Sequence, residues 1–297
     1  MDLPLPSITR YAPAKINLAL HVTGQRADGY HLIESLAVFT RFGDRVGVAA
    51  SDGDRFSVSG PFAAHVPLDD TNLVLRARDA LRAAFPDRPC PPVSITLEKN
   101  LPVASGIGGG SSDAAAALRG LAEFWTIDDV AALSRIGLAL GADVPMCLAA
   151  TPLVARGIGD GLTTLPGFPA LGLVLVNPGV AVSTADVFGA LTQRDNAPLP
   201  PLPEHIDFHS LRNWLETTRN DLEPAARQIE PAIGVAAAAL DRAGSGFTRM
   251  SGSGATCFGL FETGNVAKRA AVAIRARHPG WFVAATRSTA SEDEAHG

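Results

Sequence analysis

Between Ile16 and Val22 the apolar residues Ile16, Leu18, Leu20 and Val22 alternate with Asn17, Ala19 and His21, the two-residue period of a strand with one face buried. Shorter β-rich runs follow at residues 32–39, 45–50 and 56–58, so the first 60 residues predict an antiparallel, half-buried sheet. The period then changes. Leu73, Ala77, Ala80, Leu81 and Ala84 recur at helical spacing within residues 72–85, and residues 93–97 predict another strand, which runs into a Lys99-Asn100-Leu101-Pro102 turn. Residues 112–125 are rich in Ala and Leu and predict a helix; Thr126 with Asp129 three residues on has the form of a capping box opening a second helix as far as Leu140. Beyond Asp143 the pattern predicts strands at 153–156 and 171–177, a proline-rich linker at 198–203, helices at 211–217 and 233–243, and a closing strand, strand, helix, strand run.

Segregated strands and helices of this kind predict an α+β protein. A chain of 297 residues is long enough for two packed domains, and Gly157, Gly159 and Gly161 separate the two textures, which places the expected boundary near residue 157: one domain over 1–157, a second over 158–297. With 46% apolar and 19% charged residues the composition excludes extensive disorder. The net charge of −5, without a cluster of Lys and Arg, argues against nucleic acid or an anionic membrane as partner. The longest uncharged stretch, Gly161 to Ala185, is broken by Pro166, Pro169 and Pro178 and cannot form a spanning helix. No basic or apolar leader precedes Arg10, so the expected compartment is the cytoplasm. Three widely spaced cysteines without a C-x-x-C pair predict reduced thiols rather than a disulfide frame or zinc site, and the acidic residues after Ser288 predict a frayed end.

The strongest chemical signal is the segment Leu101-Pro-Val-Ala-Ser-Gly-Ile-Gly-Gly-Gly-Ser-Ser-Asp-Ala-Ala-Ala-Ala117. Four glycines in five positions let the backbone close around a ligand, and the helix that follows offers unpaired N–H groups and a positive dipole end, so phosphate is the expected guest. No Lys-Ser/Thr pair follows the glycines, which excludes a Walker A loop, and Ser111 breaks the G-x-G-x-x-G dinucleotide fingerprint. Lys15 and Asn17, two residues apart on a predicted strand, share a face. Asp143 sits in Gly141-Ala-Asp-Val-Pro145, between turn-forming residues at the end of an apolar helix, and Met250-Ser-Gly-Ser-Gly-Ala-Thr-Cys257 is a second Gly/Ser loop between short strands. Taken singly, each has a bland alternative: a surface lysine, a turn aspartate, a hairpin.

In company they do not. Ala12-Pro-Ala-Lys-Ile-Asn-Leu18, Asp28-Gly-Tyr-His31, the triple glycine with Ser111-Ser112-Asp113-Ala114, Gly141-Ala-Asp-Val-Pro145, Asn220-Asp-Leu-Glu223 and Ser251-Gly-Ser-Gly-Ala-Thr256 occur in one order across nearly the whole chain. In this the sequence resembles the GHMP kinase superfamily. The resemblance implies a two-domain α+β fold, ribosomal protein S5 domain 2-like at the N-terminus and ferredoxin-like at the C-terminus, and a soluble small-molecule kinase, monomer or homodimer. It implies that Pro102, Val103, Ala104, Ser105, Gly106, Ile107, Gly108, Gly109, Gly110, Ser111 and Ser112 bind ATP, with Mg²⁺ held mainly by the nucleotide and by Ser111 or Ser112 rather than in a dedicated cage. It implies catalysis by Asp143, accepting the proton of an alcohol, with Lys15 beside the transferring phosphoryl group. For a cytidyl-diphosphate substrate it implies a base stacked between Tyr30 and Phe188, hydrogen-bonded by His31, with Thr184 and Asn17 at the substrate. The residue types leave other GHMP kinases of homoserine or mevalonate type, and a non-catalytic binding protein on the same scaffold, as rivals.

Overall fold

Two long strands account for the way this chain is divided. In the computed structural model, which describes residues 7–290, β1 (Ser7–Gln25) and β2 (His31–Ala50) each run through both of two compact units. The first unit takes the residues up to Ala14, Gly43–Val103 and Gly108–Ala149; the second takes Lys15–Phe42, Ala104–Ile107 and the chain from Ala150 onward. The sequence suggested one boundary near residue 157, but the chain passes between the units several times, and the change of texture marks only the last passage, after Ala149. The acidic residues 291–297 and the opening residues 1–6 lie outside the described residues.

In the first unit β4 (Val93–Glu98) lies between β3 (Arg55–Ser59), parallel to it, and the later part of β2, antiparallel with Val48 opposite Ile95. Its helices are α1 (Leu73–Ala84), α2 (Gly109–Phe124), α3 (Val130–Leu140) and α4 (Val144–Ala149). α1 starts where the spacing placed it because the Asn72 side chain accepts the Val74 N–H at 2.8 Å. α2 packs on α1 and α4 and buries Ala114, Ala115, Ala116 and Ala117, small side chains that allow close approach from several directions. The expected cap of α3 is corrected: Asp129, not Thr126, is the N-cap, its carboxylate accepting the Ala132 N–H at 2.8 Å, while Thr126 takes a left-handed conformation (φ 55°).

In the second unit the earlier part of β2 pairs antiparallel with β5 (Leu153–Arg156), and β5 with β6 (Gly161–Thr164), which the glycines there had hidden. The remainder reads β7 (Gly172–Asn177), α5 (Thr184–Gly189), α6 (Phe208–Glu216), α7 (Glu223–Ile229), α8 (Ala232–Arg242), β8 (Phe247–Met250), β9 (Cys257–Phe261), α9 (Gly264–Arg277) and β10 (Phe282–Arg287). Its antiparallel sheet has the order β10-β7-β9-β8, and with α8 and α9 as crossovers this is the split βαβ, ferredoxin-like arrangement. Val174, Val176, Ile233, Leu240, Phe261 and Ile274 share its core. The half-buried reading of the first strand does not hold, since every β1 residue from Ala12 to Val22 is buried. Among the polar ones His21 is satisfied internally: its ring donates from Nδ1 to the Ala197 carbonyl (2.9 Å) and accepts the Arg219 N–H at Nε2 (3.1 Å).

Candidate active site

Within the second unit, the short segment Ala104–Ile107 is held from two directions. The Lys15 N–H donates to the Ile107 carbonyl at 2.9 Å, and the Thr256 N–H donates to the Ser105 carbonyl at 3.1 Å. Ser251 joins the two: its hydroxyl accepts the Asn17 N–H at 3.0 Å and donates to the Gly106 carbonyl at 3.1 Å. Gly106 has φ 74°, and a Cβ there would stand 2.5 Å from the Ser251 carbonyl oxygen and 2.6 Å from the Gly254 nitrogen; Gly252, with φ 55°, would meet the Gly106 carbonyl oxygen at 2.6 Å. The two Gly/Ser loops therefore pack backbone to backbone, an approach open only to glycine. Asn220 braces the later loop, donating from Nδ2 to the Met250 and Gly252 carbonyls at 2.9 and 2.8 Å, while the Asp221 carboxylate accepts the Val22 N–H. Arg249, buried beside this loop, donates to the carbonyls of Leu18, Leu215 and Thr218. The residues 220–223 thus hold the loop in place.

The other part of the glycine-rich segment belongs to the first unit. Pro102 is buried and Val103 exposed at the turn into it. α2 opens at Gly109, three residues before the sequence suggested, with Gly108 as a left-handed N-cap (φ 65°) whose carbonyl accepts the Ser112 N–H. Gly110 is exposed, Ser111 half-buried, and Ser112 fully buried with its hydroxyl unpartnered. Gly109 is glycine for another reason than loop flexibility: a Cβ there would lie 3.2 Å from Lys99 Nζ. That lysine is 3% exposed and bonds Asp44 and Asp113, each at 2.6 Å; Asp44 also accepts the N–H groups of Asn100 and Leu101. Burial pushes the Asp113 carboxyl up to about 8 against the pull of Lys99, while for Lys99 burial is outweighed by Asp113 and Asp44, which raise it. Asp44 takes these further N–H donors, and the cluster ties the start of α2 to the turn that leads into the glycines. Sequence reasoning passed over it because its members, Asp44, Lys99 and Asp113, are scattered along the chain, with Lys99 55 residues from Asp44 and 14 from Asp113.

A glycine backbone with left-handed turns at 106 and 108, followed by a 16-residue helix and a buried, unpartnered Ser112 hydroxyl, fits a phosphate chain and an accompanying cation. Lys15 and Asn17 are both buried, at 3% and 1% exposure, on one face of β1. Asp143, in the first unit, is half-buried in the turn between α3 and α4, and its carbonyl accepts the Cys147 N–H as α4 begins. Thr184 opens α5 and shares a 2.8 Å hydrogen bond with the Ser253 hydroxyl of the later Gly/Ser loop. The aromatic residues differ from expectation. His31 stacks directly on Phe188, ring centroids 4.7 Å apart, and Tyr30 stands 59% exposed. One face of Phe188 is thus occupied by an imidazole. The His31 ring has its pKa lowered by burial and by Arg194, and its buried Nε2 has no partner among the described residues.

The chain belongs to the GHMP kinases: residues 72–151 match the GHMP kinases N terminal domain and residues 202–280 the GHMP kinases C terminal domain. Within that family it is similar over its whole length to 4-diphosphocytidyl-2-C-methyl-D-erythritol kinases, with 73% identity to the Mesorhizobium japonicum protein over 99% of this chain and 100% of that one, and 56% to the Rhizobium meliloti protein over 96% and 97%. The crystal structure of a 4-(cytidine 5'-diphospho)-2C-methyl-D-erythritol kinase, 33% identical, superposes with a TM-score of 0.77 over 95% of this chain and 100% of that chain. A homoserine kinase from Cytophaga hutchinsonii, 19% identical with a TM-score of 0.69, shares the fold. The α+β, two-domain expectation stands, as does kinase chemistry with ATP.

Proposed function

We propose that this protein transfers the γ-phosphoryl group of ATP to the 2-hydroxyl of 4-diphosphocytidyl-2-C-methyl-D-erythritol, a step of non-mevalonate isoprenoid precursor synthesis. The observation that carries the reading is the clamped glycine segment, held at Ile107 by the Lys15 N–H and at Gly106 by Ser251, whose hydroxyl accepts the Asn17 N–H; the full-length similarity to 4-diphosphocytidyl-2-C-methyl-D-erythritol kinases supports the substrate. In this reading Pro102 to Ser112 carry the phosphates on backbone N–H groups and the N-terminus of α2. Asp143 accepts the proton of the acceptor hydroxyl as its oxygen bonds to the γ-phosphorus and the bond to the ADP oxygen breaks, and Lys15 offsets charge on the transferring oxygens. Ser111 and Ser112 would hold Mg²⁺, which supplies charge neutralisation across the phosphates when bound.

The cytosine ring packs against the His31–Phe188 pair rather than between Phe188 and Tyr30, with Tyr30 free to cover it from solvent. The neutral His31 ring offers Nε2 to the base edge, and Thr184 with Ser253 lies at the later loop. A coupled assay of ADP release with ATP, Mg²⁺ and the cytidyl alcohol, run beside homoserine and mevalonate, tests this. Turnover confined to the cytidyl alcohol is the expected result; turnover of homoserine or mevalonate, or none of the three, refutes the substrate.

A further inference from the structure

Asn17 is fixed at both its backbone and its side chain, and its hydrogen bonds determine which end of the carboxamide faces which way. The Ser35 hydroxyl of β2 carries a single proton and lies 2.7 Å from the Ala19 carbonyl oxygen, a group that can only accept. The proton is committed to that carbonyl. The second contact of the same hydroxyl, 2.7 Å to the Asn17 carboxamide, must then be made by a donor, so Nδ2 faces Ser35 and Oδ1 faces away. Ser35 is 0% exposed and Asn17 1% exposed, and Oδ1 is left without a partner among the described residues. Oδ1 lies on the side of the later Gly/Ser loop, 3.4 Å from the place a Cβ at Gly252 would occupy. A buried carbonyl oxygen without a donor is a costly feature to keep. It sits on the face of β1 that also carries Lys15.

We propose that Ser35 is a positioning residue of the acceptor site: the relay from Asn17 Nδ2 to Ser35 Oγ to the Ala19 carbonyl holds the carboxamide with its oxygen toward the bound alcohol, so that the site selects a hydroxyl donor at that point. The inference rests on the proposed kinase reading for the identity of the alcohol; the orientation of Asn17 does not depend on it. An amide held oxygen-first rewards a ligand O–H and leaves a ligand lacking it with the same orphaned acceptor, the asymmetry by which sites reject analogues that lack a polar group. The Ser251 hydroxyl, by accepting the Asn17 N–H, fixes the backbone from which the side chain projects.

The test compares wild type with Ser35→Ala and Ser35→Thr, each first shown to melt cooperatively. kcat and KM are measured for the cytidyl tetritol and for analogues in which each hydroxyl of the tetritol chain in turn is replaced by hydrogen. In Ser35→Ala, kcat/KM for the full alcohol falls about tenfold, the scale of one buried hydrogen bond, and discrimination against one deoxy analogue collapses. In Ser35→Thr both are retained, and KM for ATP stays at the wild-type value in both variants. Equal losses on the alcohol and all its analogues, or unchanged discrimination in Ser35→Ala, would overturn the proposal. If wild type turns over no cytidyl alcohol, the proposed substrate fails and the relay is judged by NMR instead. The Asn17 carboxamide protons exchange slowly with solvent in wild type and Ser35→Thr and faster in Ser35→Ala, and one rate in all three refutes the relay.

Discussion

Gly106→Ala isolates the contact between the two Gly/Ser loops. The glycine sits at φ 74°, and the added methyl would meet three backbone atoms: the Ser251 oxygen at 2.5 Å, the Gly254 nitrogen at 2.6 Å and the Gly254 oxygen at 2.7 Å. None is the end of a flexible side chain, so the loops themselves must separate. A left-handed non-glycine residue costs about 1–2 kcal/mol, and overpacking adds about 1–3 kcal/mol. The combined loss of about 2–5 kcal/mol lowers the melting temperature by roughly 5–15 °C in a protein of this size. Because the separation also breaks the Ser251–Gly106 and Thr256–Ser105 hydrogen bonds, ATP affinity falls with it. The assay is thermal unfolding together with ATP titration, and Gly234→Ala serves as control. Gly234 lies within α8 with open space around its Cβ position, so alanine there stabilises by about 0.5–1 kcal/mol. A Gly106→Ala protein with wild-type melting temperature and ATP affinity refutes the packing of these loops as the basis of the nucleotide site.

Asp143→Asn keeps the size of the side chain and removes its capacity to take a proton; kcat falls about 10²- to 10⁴-fold while ATP affinity holds, and a near wild-type kcat removes Asp143 from the role of base. Phe188→Ala removes the ring on which His31 stacks and raises KM for the cytidyl substrate by an amount equivalent to about 1–3 kcal/mol, and a uridine analogue is a poor substrate of the wild type; equal kcat/KM for cytidine and uridine substrates shows that the base edge is not read. Lys99→Met leaves two buried carboxylates without their cation and destabilises by about 3–5 kcal/mol, read by denaturant unfolding. Asp113 has a folded pKa raised from 3.8 to about 8, so the folded chain holds that proton more tightly than the unfolded one, and its contribution to stability is complete below the ordinary carboxylate range and lost as pH rises through about 8. Wild-type melting temperature therefore declines toward pH 8 more steeply than that of Asp113→Asn; parallel curves refute the raised value.

Neighbours within a turn or two dictate the elements that are legible before the chain folds. Asn72 ahead of a helical spacing marks the start of α1, residues 93–97 form β4 almost to the residue, and the closing strand, strand, helix, strand order appears as β8, β9, α9 and β10. The glycine run announced a backbone that must approach something closely, and the ordered motifs announced the family. Tertiary structure decided the rest. The alternation at residues 16–22 predicts a solvent face, but here Ser35 takes the Asn17 Nδ2 donor and Ala197 the His21 ring, and both faces are buried. Gly109 and Gly110, poor helix formers, nevertheless open α2, because packing against the Lys99 cluster outweighs propensity there. Lys99 meets Asp44 across 55 residues, and Asn17 meets Ser251 across 234, separations over which local pattern carries no information. The division into units that each gather several stretches of chain follows from the same cause: β1 and β2 are long enough to serve both, and only the folded chain shows which part of each strand goes where.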